Sequence, residues 1–468
     1  MRTELGALLL LVGVVAAGCA GGSDTSAQKA IRAETIATDT FGPPPPTPRG
    51  PLDEQLARDI DLVMSGFETS AIPRREVRKL GGSGDARVAW ILSDLLRFEV
   101  RSELVNVLVG SFEQLTGATL SAAERSPEAA WKAVTDRLIA WELPAPPSYV
   151  EYKARLFTLV EPRWASFFRD RNAAIDWRFV SWGGVLIDDR RLGDPEPCAR
   201  GCIPALDDPA VTDAAGGSWY SDDSIVFGVV VNGEARAYPR NIMEVHELVN
   251  DTLGGRRIGL PYCTLCASAQ AYYIDTVGKR NLVLRTSGLL SRSNKVMYDL
   301  TTWSLFDTFK GRAVSGPLRD AGVTLEPITV VTSTWGEWKN AHPQTTIVAR
   351  DGGIGREYPV DPLHGRDDNG PIFPVGDVDP RLPVQEQVVG VVTPDGTPVA
   401  FPADAARGAL EAGEPVRLAG VRLELDGDGL RAFLDGGADA VSHQAFWFAW
   451  SQFHPGTLLW APGLPSSR

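Results

Sequence analysis

Two segments far apart in the chain share one pattern, and it limits what the C-terminal part can become. Trp338-Lys-Asn-Ala-His342-Pro343-Gln-Thr345 and Trp450-Ser-Gln-Phe-His454-Pro455-Gly-Thr457 agree at Trp, His, Pro and Thr with identical spacing. Each is preceded by a second matching set. Gly228-Val229, Asn232-Gly233 and Ala237-Tyr238-Pro239 align with Gly390-Val391, Asp395-Gly396 and Ala400-Phe401-Pro402. β-Branched and aromatic runs around an Asn-Gly or Asp-Gly pair are the signature of a hairpin. The matching order predicts a mainly-β domain of two related halves, 176–355 and 356–468, with the second shortened. In this reading His342 and His454 each fix a turn before proline.

Upstream, over 52–175, the period is helical. Val88, Ile91, Leu92, Leu95 and Leu96 lie on one helix face, as do Trp131, Val134, Leu138 and Trp141. Ser126-Pro127-Glu128 has the capping hydroxyl, first-turn proline and early acid of a helix start. The expected class is therefore α+β, an N-terminal helical module followed by the mainly-β domain. No charged group in the helical part points to chemistry.

The N-terminus sets the compartment. Arg2 precedes an apolar run from Leu5 to Ala17 that is shorter than the ~20 residues of a membrane-spanning helix. The run ends Ala16-Ala17-Gly18-Cys19, which looks like a bacterial lipobox, with Ala16 where leucine is more usual. The expectation is a signal peptide over 1–18, a lipid on Cys19 and a proline-rich tether over 19–51. The mature chain is then extracytoplasmic and held at the cell membrane through that lipid. A net charge of −13 excludes the basic face that nucleic acid requires.

Four cysteines remain. Cys198 and Cys202 flank a turn-like Ala-Arg-Gly and read as a local disulfide. Cys263-Thr-Leu-Cys266 is the second pair, and polar clusters lie on either side of it: His246-Glu247 upstream, then Ser287, Asn294, Met297 and Asp299 downstream. Three readings stay open for this pair: a metal site, a redox dithiol and a structural pair. Structural zinc wants four ligands, usually from two such knuckles. Copper accepts a softer set, so copper is favoured over zinc, with Cys263, Cys266 and His246 as ligands and Met297 as a weak fourth. Glu247, Ser287, Asn294 and Asp299 would orient those ligands. A redox dithiol wants a helix after the pair, whereas Ala271-Tyr272-Tyr273 leans to strand. A serine hydrolase is poorly supported, because Ser287-Gly288 lacks the Gly-x-Ser-x-Gly elbow. A binding or scaffolding role with inert cysteines completes the alternatives.

Taken in order, His246 to Asp251, Tyr262 to Ala269, Ser287-Gly288, Asn294 to Asp299, Thr302 to Leu305 and Gly311 to Gly316 resemble the bacterial domain-of-unknown-function family 3179 over about 176–460. The resemblance implies an exported or membrane-associated protein and supplies no activity. Leu300, Phe306 and Thr308 depart from it, where the family tends to have Arg, Trp and Gln.

Overall fold

The computed structural model describes residues 40–275, 280–366 and 369–463. The expected signal peptide, Cys19 and the first part of the expected tether lie outside the described residues. Helices run over Glu54–Glu68, Arg74–Gly81, Ala89–Phe98, Ser102–Thr116, Ala130–Ala140 and Tyr149–Val160. Among the described residues, no helix is long and apolar enough to cross a membrane. Asp53 starts the first helix, its carboxylate accepting from the amides of Gln55 and Leu56 at 2.9 and 3.1 Å. These are amides that a helix start otherwise leaves open. The predicted start at Ser126 is a turn, and the helix itself begins at Ala130, whose N–H is held by the Ser126 carbonyl at 2.9 Å. Val88, Ile91, Leu92, Leu95 and Leu96 are all buried, as one apolar face requires. The proline run lies along this module. The Gly42 carbonyl accepts from Trp141 Nε1 at 2.9 Å and the Gly50 carbonyl from Arg87 Nη1 at 2.8 Å.

The β part is a propeller-like ring of five small sheets, which overturns the expectation of two related halves. One sheet orders Val180–Trp182, Leu284–Ser291, Asn294–Asp299, Leu305–Asp307 and Arg312–Ala313. Its Leu289, Val296 and Tyr298 join the helices in one core, and Phe167 meets Tyr298 edge-on. A second sheet holds Leu206–Asp207, Leu248–Leu253, Arg256–Cys263, Ala271–Tyr273 and Pro327–Ile328, with Ser268–Ala269 folded back onto Arg256–Cys263.

The repeated segments build only the third and fourth sheets. In the third, the hairpin Ile225–Val231 and Glu234–Pro239 is flanked by Val331–Thr334 antiparallel and Thr346–Val348 parallel. In the fourth, Gln387–Val392 and Pro398–Pro402 are flanked by Ser442–Phe446 and Leu458–Leu459 in the same senses. The registers coincide, with Gly228 opposite Ala237 and Val331, and Gly390 opposite Ala400 and His443. Glycine is required at both places, because a Cβ would overlap the ring of Trp338 at Gly228 and of Trp450 at Gly390. Each indole N–H is then taken by a threonine, Thr345 at 2.9 Å and Thr457 at 3.0 Å. The fifth sheet, centred on Val421–Asp426 and Gly429–Leu434, does not carry this pattern. The shared segments specify a hairpin and its covering tryptophan. They carry no information about the sheets built from unrepeated sequence, and so do not extend to halves.

Candidate functional site: a buried dithiol

Arg256–Cys263 ends in a single turn, Thr264–Cys266, after which Ala267 reverses the chain in the left-handed region at φ 46°. Cys263 and Cys266 both remain free thiols, 3% and 0% exposed. They pack among Phe309, Val375, Trp447 and Phe448. Both sulfurs point at one acceptor, the Ser293 carbonyl, at 3.7 Å from Cys263 and 3.5 Å from Cys266. Ser293 sits in the two-residue turn between Leu284–Ser291 and Asn294–Asp299. Arg292 and Ser293 both have positive φ there, 48° and 69°. A hairpin turn of this kind normally calls on glycine or asparagine. Glu247, at φ 51°, is a fourth non-glycine residue in the left-handed region around the pair. Such strained positions persist only where surrounding contacts hold them, and they concentrate at functional sites.

Charge is built into the same place. Lys295, 4% exposed, reaches the Glu247 carboxylate at 2.6 Å and the Glu247 carbonyl at 2.8 Å. Thr264 Oγ1 donates to the other carboxylate oxygen at 3.1 Å. Burial penalises charge on either sulfur. For Cys263 the Cys266 thiol hydrogen bond, the Lys295 amide and the Lys295 charge outweigh burial and the opposing Glu247, holding its pKa below the usual thiol range. Burial and the neighbouring Cys263 push Cys266 well up. One sulfur is therefore the favoured thiolate and the other the favoured thiol. Three buried oxygens nearby in the chain, Ser268 Oγ, Ser293 Oγ and Asn294 Oδ1, have no hydrogen-bond partner among the described residues. Tyr262 and Ala267, either side of the pair, line a cavity of about 630 Å³ with Phe227, Arg407 and Gln444.

Residues 200–432 match the family model described as "Protein of unknown function (DUF3179)". The chain belongs to this family. No curated protein and no solved structure matches it.

Within the DUF3179 motif, the structure does not assemble the four-ligand copper set. His246 ends the helix Arg240–His246, but its two ring nitrogens are engaged by the Pro204 carbonyl at 2.6 Å and Tyr358 Oη at 2.7 Å. Met297 lies in a different core, with Leu248, Leu284 and Phe306. Met297 and Lys295 are two apart on one strand, and the register shift of the neighbouring strand between Thr286 and Leu290 falls between their partners. Burial lowers the His246 pKa to about 4, with Arg356 and Arg190 also opposing protonation and the Pro204 carbonyl favouring it.

Of the orienting residues, Glu247 is at the site through Lys295 and Thr264, and Asn294 lies beside Ser293. Ser287 donates to the Val296 carbonyl, and Asp299 accepts from Val283 N at 3.0 Å and from Thr302 N and Oγ1 at 2.8 Å. Those two shape backbone.

Cys198 and Cys202 form a disulfide with Cα atoms 5.3 Å apart. Asp188 lies with them in the one cluster of three metal-type ligands found among the described residues. Its carboxylate is already taken by Arg190 and the Ala205 amide, and the two sulfurs are bonded to each other.

Sequence reasoning passed over Lys295 and Ser293. Lys295 was an unspecified position within Asn294–Asp299, although a lysine in an apolar strand is itself a signal. The buried Asp94, Tyr149 and Lys153 network in the helical module was also not foreseen. There the Lys153 ammonium lies 2.7 Å from Asp94 and Tyr149 Oη donates to Asp94 at 2.8 Å.

Proposed function

We propose that this DUF3179 member is an exported, lipid-anchored envelope protein whose Cys263 and Cys266 cycle between dithiol and disulfide. The observation that carries the reading is the pair of adjacent thiols sharing the Ser293 carbonyl beside a buried Lys295. Export is supported by the leader-like segment 1–18 that precedes Cys19 and by a second cysteine pair that is disulfide-bonded. In the forward direction the Cys263 thiolate attacks a disulfide on a partner and displaces one of its sulfurs as a thiol. Cys266 then loses its proton and displaces the second sulfur. The chain ends as a disulfide and the partner as a dithiol, with two electrons and two protons transferred.

The test is to equilibrate the protein in dithiothreitol buffers of graded ratio, trap free thiols by alkylation and weigh the products. Reversible loss of two alkylation sites, mapping to Cys263 and Cys266, is expected. Thiols that never convert to a disulfide under any oxidising ratio would sink the proposal. Lys295→Met should slow alkylation of Cys263 at neutral pH by removing the charge that favours its thiolate.

A second reading keeps copper. Two soft sulfurs in an apolar cluster suit a two-coordinate Cu(I), which needs neither His246 nor Met297. Stoichiometric copper that resists a competing chelator and is lost in Cys263→Ser would favour that reading over the redox one.

A further inference from the structure

The register match between the third and fourth sheets carries over to the cavity of about 630 Å³ beside Tyr262. With Gly228 matched to Gly390 and Val331 to His443, Ile225 corresponds to Gln387, Thr332 to Gln444 and Thr334 to Phe446. All six line the cavity, so the two sheets offer it the same positions with different side chains. Its volume is within the range of small-molecule sites. The thiols face elsewhere. Tyr262 turns to Phe227, with ring centres 4.7 Å apart, while Cys263, the next residue of the strand, packs with Trp447 and Phe448.

The lining narrows the class of ligand. Its charged groups are already engaged: Arg240 with Glu244 at 2.6 Å, Arg407 with Asp404 at 2.8 Å, and the Asp428 carboxylate with Ser333 Oγ and the Thr334 amide. An ion would have to displace one of them. The strand edges are closed to an added peptide as well, since the Val330 N–H goes to the Ser442 carbonyl at 3.0 Å and the Thr334 N–H to Asp428 at 2.8 Å. Side-chain hydrogen bonding stays open. The Gln387 amide, the Thr332 and Thr334 hydroxyls and Arg407 Nη2 have no hydrogen-bond partner among the described residues, and all four residues are part-exposed. Ile225 and Phe446, part-exposed too, add apolar surface. Donors and acceptors beside apolar surface, with no charge to spare, match the mix of hydroxyls and C–H faces on a sugar.

We propose that this cavity binds a short neutral oligosaccharide, its hydroxyls bonded to Gln387, Thr332, Thr334 and Arg407 Nη2 and one C–H face against Phe446. The site is distinct from the dithiol and does not depend on its reading. The test is calorimetric titration of the full chain with two probes, cellotriose and tri-N-acetylchitotriose, beside a neutral capped peptide, N-acetyl-trialanine amide. Saturable binding of at least one sugar is expected, with an affinity that does not change with ionic strength because the ligand carries no charge. Gln387→Leu and Thr332→Val should each weaken that sugar about tenfold, the effect of one good polar contact. Both are part-exposed positions and both changes keep the size of the side chain, so the variants should fold, which the thermal unfolding of each checks. Phe446→Ala should weaken the sugar further, and the two polar variants serve if it does not fold. No saturable binding by either sugar, binding of the capped peptide in their place, or a sugar affinity untouched by both Gln387→Leu and Thr332→Val overturns the proposal.

Discussion

At the Trp338 corner of the third sheet, His342 stacks on its tryptophan at 4.0 Å and places Nε2 2.7 Å from Asp426. Asp426 arrives on the fifth sheet, at the end of the strand Val421–Asp426. At the Trp450 corner of the fourth sheet, His454 stacks in the same way at 4.2 Å. There it lines a cavity beside His443 and Phe309. The local sequence, the strand register and the glycine under the indole are the same in both corners. What differs is the element that covers them, which is supplied from far along the chain. A repeated segment therefore secures a repeated local structure and leaves its environment open.

Removing the indole tests the shared part of this comparison most severely. Trp338→Ala and Trp450→Ala should each cost about 3–5 kcal/mol in denaturant unfolding, the range for a large buried aromatic. Costs that differ by more than about 2 kcal/mol would show that the two corners are not equivalent in packing.

Acid should then separate the corners. Burial lowers His443 to about 3 and His454 to about 4, with repulsion from His454, once protonated, adding to the first and the Lys310 charge to the second. An unfolded histidine titrates near 6.5, so between there and about 4 the unfolded chain takes up protons that the native chain refuses. Their contribution is complete above the unfolded value and is lost as pH falls toward the folded one. His246, lowered to about 4, acts in the same direction. Stability should fall by a few kcal/mol, roughly 1–3 after allowing for partial exposure, between about pH 7 and pH 5. In a His443→Gln, His454→Gln double variant the melting temperature should depend less steeply on pH, and an unchanged slope would assign the acid sensitivity elsewhere.

The remaining contrasts are smaller. Asp426→Asn removes the carboxylate that completes the Trp338 corner and should cost about 1–2 kcal/mol, read from the urea midpoint. His454→Gln deletes only a stacked ring at the edge of a cavity and should cost less than about 1 kcal/mol. If His454→Gln proved the more damaging of the two, the cavity would hold a partner for that histidine in solution.

The dithiol shows a similar divide between what was legible and what was not. Cys-x-x-Cys on a tight turn after a strand was readable from spacing, and both sulfurs do meet at one carbonyl. The cation beside them was not, because Lys295 and Cys263 lie on separate sheets and meet only through packing. His246 looked like a ligand through its neighbours in the motif, yet its ring turns to Pro204 and Tyr358, over a hundred residues further on in the latter case. Met297 looked like a sulfur donor and is a core residue. In both, motif order was taken as nearness in space.

By itself the sequence determined the helical module, the two glycine-tryptophan hairpin units and the turn that brings Cys263 to Cys266. These follow from local backbone geometry and from periods of apolar side chains, which neighbouring residues are enough to specify. Only the tertiary structure decided that the β part has five sheets, that Lys295 and Glu247 flank the thiols, and that one tryptophan corner meets Asp426 of the fifth sheet while its twin meets Phe309. Those outcomes depend on which distant surfaces bury one another. A buried polar group takes whichever partner packing brings within reach, and that partner is set by the fold as a whole.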